Sequence, residues 1–321
     1  MSGRRVLRRA QTGFSLLEVL VTTGILAGAA YVALSTVEVD TGRHRYDMTE
    51  QRLDAIRRAL VGDAGLAANG SPVVSGFVAD VGQLPPCLQA LVVREVDCDG
   101  DGTDDFTPPS FNFDDVLSYG WRGPYLTTRS GSYPDAWGND DGGVDFGWNL
   151  AVPAGTPPPV DALTITSLAR DRVVGDTSMD GGYDVDQTLP IPFAAFTTTV
   201  AGLEATLTND SGGDVDYCAA LIVPDPADEM DWTYLVGTAA PVRLANGDTA
   251  DLGFDLSSTV SSTIGRRVLV LYDSIDLAVQ GDCTITAGSE AAIFNALESF
   301  RFPVLIAPYA VPAASFAARR G

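Results

Sequence analysis

The sequence predicts an α+β protein in three parts: a long amino-terminal helix, a small antiparallel-sheet head on which its second half packs, and an all-β sandwich. Three observations carry that prediction. An apolar run from Phe14 to Val37 holds one charge, Glu18, and passes into an amphipathic stretch. The middle of the chain is rich in Gly, Pro, Asp and Trp. From about residue 190 onward, β-type segments alternate with turn signals.

The helix comes first. Arg4, Arg5, Arg8 and Arg9 form a short basic tail, and residues 14–37 exceed the roughly 20 residues needed to cross a bilayer as a helix. A basic flank of this kind stays on the cytoplasmic side, so the remainder is expected to be exported. A cleavable secretory signal places its small-residue site after the apolar core, whereas here Gly13 precedes it. Cleavage at Gly13 would remove residues 1–13 as a charged leader and leave the apolar helix at the new amino terminus. Glu18 needs a reason, because a lone carboxylate inside a membrane helix costs about 2.5–3.5 kcal/mol on insertion scales and is by default functional. The helix is expected to continue past Asp40 and Gly42 to residue 66, since Met48, Leu53, Ile56 and Leu60 recur at helical spacing among charges. A helix of roughly 50 residues would be about 75 Å long.

The stretch Gly13-Phe14-Ser15-Leu16-Leu17-Glu18-Val19-Leu20 closely resembles the class III signal of type IV pilins and type II secretion pseudopilins. That resemblance implies that a prepilin peptidase cuts after Gly13 and methylates the amine of Phe14. It implies that Glu18 pairs with the processed amino terminus of a neighbouring subunit during filament assembly. The expected partners are therefore other copies of the chain, minor pilins or pseudopilins, and the peptidase. The expected location is a single pass of the inner membrane with a periplasmic or extracellular carboxy-terminal part, later assembled into a cell-envelope or surface filament.

Composition agrees with export. The formal charge of −22 becomes −26 once the four leader arginines are gone, which disfavours nucleic acid and anionic lipid as partners. All 20 basic residues are Arg, and Asp outnumbers Glu by 34 to 8, a bias towards turns and calcium loops over helices. Cys87, Cys98, Cys218 and Cys283 lie beyond the apolar run and allow three pairings, of which the local one is Cys87 with Cys98 and Cys218 with Cys283. There is no CxxC or Cys/His cluster, which argues against a zinc or redox site.

The head, residues 67–189, is expected to hold short strands at 161–168 and around 146–151, with long loops elsewhere. Trp121-Arg122-Gly123-Pro124-Tyr125-Leu126, followed by Tyr133-Pro134-Asp135-Ala136-Trp137-Gly138-Asn139, is similar to the head of the major pseudopilin of type II secretion. That family has WxGPYL, a DPWGN element, a strand and a calcium loop. Here the second element reads Pro134-Asp135 with Ala136 before Trp137, and Asp140-Asp141-Gly142-Gly143 replaces the usual aromatic hairpin. Residues 163–171 parallel the family strand that ends in a Ser-x-Gly-x-Asp turn, with Ala169 in place of Gly, and Asp184-Val185-Asp186 falls where an Asp-x-Asp closes the calcium site. The resemblance thus implies calcium held by the side chains of Asp171, Asp184 and Asp186 and the carbonyls of Leu168 and Val185, with Asp176 and Asp180 as alternates.

A second calcium candidate needs no family. Asp97, Asp99, Asp101, Thr103 and Asp105 follow the D-x-D-x-D-G spacing of the first part of an EF-hand-type loop, with Gly102 at the sharp turn. Pro108 at the twelfth position excludes a complete EF-hand, and Asp114 or Asp115 is the expected substitute for its closing carboxylate.

After Thr188-Leu189-Pro190 the expected β segments are 196–207, 217–223, 234–244, 249–256, 267–272 and 302–308, with turns at 209–213 and 246–248. Residues 190–321 are read as an immunoglobulin-like β-sandwich stapled by Cys218 and Cys283, with a short helix at 289–299. The one histidine, His44, lies beside the apolar segment, so no Ser/His/Asp or Cys/His constellation can be drawn, and Gly142-Gly143 and Gly181-Gly182 are acidic turns that would repel phosphate. The chain is expected not to be an enzyme. Its expected role is a structural pseudopilin or pilin subunit of a type II secretion-like or type IV pilus-like filament. The alternative is a major or minor tip subunit of a type IV pilus whose sandwich adheres to a surface.

Overall fold

The computed structural model describes residues 15–63, 74–104, 111–112, 118–128, 131–151, 162–175, 183, 185–210, 212–223, 234–237, 240–273, 283, 300–306 and 313–315. The architecture is α+β: one long apolar amino-terminal helix and a separate β-rich region of small, mostly antiparallel sheets.

The helix α1 (Leu16–Val61) is unbroken over 46 residues, about 69 Å at 1.5 Å per residue. Ser15 caps it, its Oγ accepting the N–H of Glu18 at 3.2 Å, which satisfies one of the first-turn donors. From Ser15 to Thr41 every residue is exposed, and this half of the helix is long and apolar enough to cross a membrane, with an 18-residue window of mean hydropathy 1.8. The second half buries Thr49, Leu53, Ile56, Ala59 and Leu60, a stripe at helical spacing that includes three of the four expected positions, while Met48 is half-buried. The helix stops at Val61, before the expected end at residue 66. Gly62 turns to φ 76°, and a Cβ there would collide with the carbonyl oxygen of Ser75.

The helix α2 (Phe77–Val81) and a 3₁₀ turn (Leu88–Leu91) follow, and β1 (Phe111–Asn112) and β2 (Ser118–Tyr119) form a two-stranded ladder. A three-stranded antiparallel sheet is built from β3 (Asn149–Ala151), β4 (Ala162–Ser167) and β5 (Gln187–Pro192). The first two are the expected strands. The third runs straight through residues 189–190, where the sequence shifts in character. Ile56 and Leu60 of α1, Phe77, Leu88 and Leu91, and Leu163, Ile165 and Ile191 of the sheet close one apolar core. Each is essentially inaccessible to water, so the apolar contribution is on the order of 1.5–3 kcal/mol per side chain.

Beyond this core lie β6 (Thr197–Thr208), β7 (Val215–Val223), β8 (Tyr234–Gly237), β9 (Val242–Leu244), β10 (Thr249–Thr263), β11 (Gly265–Asp273), β12 (Phe300–Ile306) and β13 (Ala313–Ser315). They form two sheets: β6 lies between antiparallel β10 and parallel β13, while β11 lies between β12 and β7. The segment expected at 234–244 is two strands, both on the same edge of β7, because Pro241 cannot donate to a ladder. Strand β10 extends past the expected residue 256, crossing an irregularity in its pairing with β6 between Asp255 and Val260. The two expected turns meet: Gly212 N–H donates to Asn246 Oδ1 at 3.0 Å, and buried Asn209 donates from Nδ2 to the carbonyls of Gly213 and Leu244. The helix expected at 289–299 lies outside the described residues.

Both disulfides have the local connectivity, Cys87 with Cys98 and Cys218 with Cys283, at Cα separations of 5.9 and 5.6 Å. Strand β11 also meets α2 at a polar seam. Arg267 on β11 is fully buried, and its guanidinium donates to the carbonyls of Ala79 on α2 (3.1 Å) and Thr263 (3.0 Å). Gly265 permits this approach, since a Cβ there would strike the Ala79 carbonyl. Arg267→Met keeps the apolar stem but leaves these carbonyls without a charged donor, and is expected to lower the stability by about 2–4 kcal/mol. Urea unfolding of the full chain reads this, with exposed Arg266→Met expected to change stability by less than about 0.5 kcal/mol.

Candidate functional site

The junction between α1 and the first sheet is built by side chains at i, i+4 and i+7 of the helix. Arg45 lies over the Trp137 ring at 5.4 Å, Thr49 Oγ1 accepts the N–H of Ala136 at 3.3 Å, and Arg52 donates to the carbonyl of Pro134. On the adjoining face the carbonyl of Tyr46 accepts from Gln187 Nε2 of β5 at 3.0 Å, and its ring meets that of Tyr183 at 5.8 Å. The Pro134-to-Asn139 element is thus a saddle for the helix.

Asp135 holds that saddle together. It is 2% exposed, and its Oδ1 accepts the N–H groups of Trp137 and Asn139 at 3.0 and 3.1 Å. Its Oδ2 accepts Asn139 Nδ2 at 2.9 Å and the hydroxyl of Ser167 at 2.5 Å. Asn139 donates onward to the carbonyl of Ala169 and accepts Arg172 Nε at 2.9 Å. A buried carboxylate is stable only when its lone pairs are filled, and four donors fill them here. Gly147 completes the packing, because a Cβ there would overlap the Asn139 carbonyl.

The Trp121-to-Leu126 element docks on the other side of the core. Trp121 Nε1 donates to the carbonyl of Ala90 at 2.9 Å, and the Tyr125 hydroxyl donates to Asp80 Oδ2 at 3.0 Å. Burial pushes the Asp80 carboxyl above the ordinary carboxylate range and drives the Tyr125 phenol well above its ordinary value. Gly123 is needed because a Cβ would lie 2.5 Å from Trp121 Cζ2.

The acidic loops differ from one another. Asp97, Asp99 and Asp101 bring one carboxylate oxygen each within 4.8 Å of one another, the one such cluster among the described residues. Gly102 N–H at 2.8 Å and Gly100 N–H at 2.6 Å donate to Asp97, and these bonds hold its carboxyl below the usual range. Three convergent carboxylate oxygens are hard donors of the kind calcium takes; Thr103 N–H donates to Asp101 Oδ1, and Asp105 lies outside the described residues. In the other predicted set, Asp171 Oδ1 accepts Val173 N–H at 2.9 Å and Asp186 Oδ2 accepts Gly175 N–H at 2.8 Å, so both aspartates grip one loop. The Leu168 carbonyl accepts Arg172 N–H at 3.0 Å, Val185 is buried, and Asp184, Asp176 and Asp180 lie outside the described residues. Ala169 takes φ 46°, a left-handed conformation that glycine adopts without strain. Asp140 and Asp141 cap their own turn, accepting N–H groups of Gly142 and Gly143 at 2.9 Å.

Gly13 and Phe14 also lie outside the described residues, while Glu18 is exposed in the first turn of α1. Sequence reasoning missed Arg45, Thr49 and Arg52, whose spacing on one helical face was visible but whose partners were not. It also missed Asp80 and Arg267, which carry no local signal. No family model, no curated protein and no solved structure matches the chain. Asp135→Asn places an amide donor among donors and is expected to destabilise the protein by about 2–3 kcal/mol. Urea unfolding measures the loss, and a variant as stable as the parent would refute the role assigned to the saddle.

Proposed function

We propose that the chain is a processed, filament-forming pilin-like subunit, with the pseudopilin of a type II secretion-like machine as its leading role. The observation that carries the reading is the division of α1: an unbroken helix whose apolar first half is wholly exposed and whose second half is packed on a folded core. Such a helix can lie in a bilayer and later exchange lipid for neighbouring helices without refolding the rest. In this reading the prepilin peptidase cuts after Gly13 and methylates Phe14. Glu18 then sets register by pairing with the neighbouring Phe14 amine, which removes the penalty of a lone carboxylate in an apolar medium. Residues 67–189 serve as the pilin-like head; the Asp135 element locks that head to the helix, and the Trp121 element braces its α2 and 3₁₀ turn. The chemistry is assembly, with no catalytic step.

Calcium is proposed as a structural ion. Asp97, Asp99 and Asp101 would hold it in the first loop, with Thr103 and Asp105 completing the set; Asp171, Asp184 and Asp186, with the carbonyls of Leu168 and Val185, are the second set. The ion would neutralise clustered carboxylates in a chain of formal charge −22. The two sheets formed by residues 197–315 favour a second reading, in which they make an outward β-sandwich that adheres to a surface from a type IV pilus.

Co-expression with a prepilin peptidase is expected to yield a chain beginning at methylated Phe14, seen as an intact mass. Glu18→Val should be processed and inserted normally yet fall at least about tenfold in filaments shared with the parent chain. Normal incorporation of Glu18→Val would sink the register mechanism. Removing calcium with a chelator should lower the thermal midpoint of the full chain by several degrees, since an ion at 100 times its dissociation constant adds about 2.7 kcal/mol to stability. An unchanged midpoint would rule out a stabilising ion at either loop.

A further inference from the structure

We infer that residues 170–175 form a second contact with the lipid surface, seated where α1 leaves the membrane. The inference rests on the reading of residues 14–37 as a membrane span. Outside α1, the large apolar side chains left exposed among the described residues are Val93, Val173 and Val174, at 37%, 58% and 64%. The two most exposed are adjacent, in the segment that follows β4. Scattered exposed apolar residues are ordinary, but an apolar pair with a defined position is a candidate contact.

The position comes from Arg170, whose Nη1 lies 3.4 Å from Glu38 Oε1. Glu38 is the first charge after Glu18 and follows the last residue of the apolar run. At 1.5 Å per residue that run is about 36 Å long, slightly more than a hydrocarbon core of about 30 Å, so its end reaches the headgroup level. The ion pair itself is exposed on both sides and adds little stability; its value is as a marker of height. Tyr183 lies one to two turns further along α1, its Cβ 3.8 Å from where a Cβ on Gly42 would lie and its ring against that of Tyr46. Tyrosines and snorkelling arginines are the residues that favour this zone.

This segment is held in a costly shape. Ala169 and Arg172 have φ of 46° and 62°, and non-glycine residues keep such values only where the surroundings enforce them. Arg172 is fixed by Asn139, Val173 N–H by Asp171, and Gly175 N–H by Asp186. This bracing keeps two branched apolar side chains pointing into solvent, where an unbraced loop could fold them away. The acidity of the whole chain argues against attraction to anionic lipid, so the contact is apolar and the surface it fits is zwitterionic. Such a contact limits tilt of the folded part on its helix while the subunit waits in the membrane.

A photoreactive benzoyl-phenylalanine at position 174 of the full chain, reconstituted in phosphatidylcholine and phosphatidylethanolamine vesicles, tests this. Position 26 in the exposed apolar helix and position 245 in the turn after β9 serve as references. The expected result is lipid adducts at 26 and 174, with at least about tenfold less at 245. Lipid adducts at 26 with none at 174, or adducts at 174 only to a second copy of the chain, overturn the loop contact and leave the membrane span standing. Equal labelling at 174 and 245 also overturns it. Absence of lipid adducts at 26 overturns the span and the loop contact together.

Discussion

One contact organises the molecule: the burial of Leu53, Ile56 and Leu60 of α1 among Phe77, Leu88, Leu163 and Ile191. It is non-directional and strong, and it fixes which face of the helix turns inward. Because the stripe begins only near Thr49, the core holds the carboxy-terminal half of the helix and leaves the amino-terminal half bare. The exposed apolar surface is therefore a consequence of where the stripe starts, and the chain needs another apolar medium to cover it. A membrane span is the coarse reading this supports, and filament assembly is the finer proposal built on it.

Polar interactions then convert a sliding hydrophobic contact into a single register. Hydrophobic burial alone would tolerate small rotations of α1, whereas Thr49 with Ala136, Arg52 with Pro134 and Gln187 with Tyr46 admit only one. Asp135 stands behind the first two, because its four accepted hydrogen bonds shape the saddle that the helix meets. Arg267 does the same between α2 and β11. In both places one buried polar side chain is the shared partner of several groups, so removing either leaves those groups without it in the interior.

Much of the fold was legible because it depends on short-range pattern. The helix, most of the strands and the turns at 209–213 and 246–248 follow from spacing within a window of residues. The departures each have a local steric or tertiary cause: Gly62 ends the helix against Ser75, Pro241 divides one segment into two, and β10 lengthens because β6 offers it a partner. The residues of the Pro134-to-Asn139 element stand out in the sequence, but its task of carrying the helix does not, since that task belongs to a contact between residues 49 and 136.

By itself the sequence determined a long helix with a bare apolar half, an acidic loop with D-x-D-x-D-G spacing and a small set of disulfide pairings. These are properties of neighbours along the chain, where periodicity and turn chemistry act. The tertiary structure decided which pairing the cysteines take and which carboxylates serve the fold. It buries Asp135 under four donors, half-buries Asp80 against the Tyr125 hydroxyl and leaves Asp99 and Asp101 converging at the surface beside Asp97. A hydrogen bond or a buried charge is settled by whichever group comes close in space, and residues 135 and 167, or 79 and 267, become neighbours only once the core has closed.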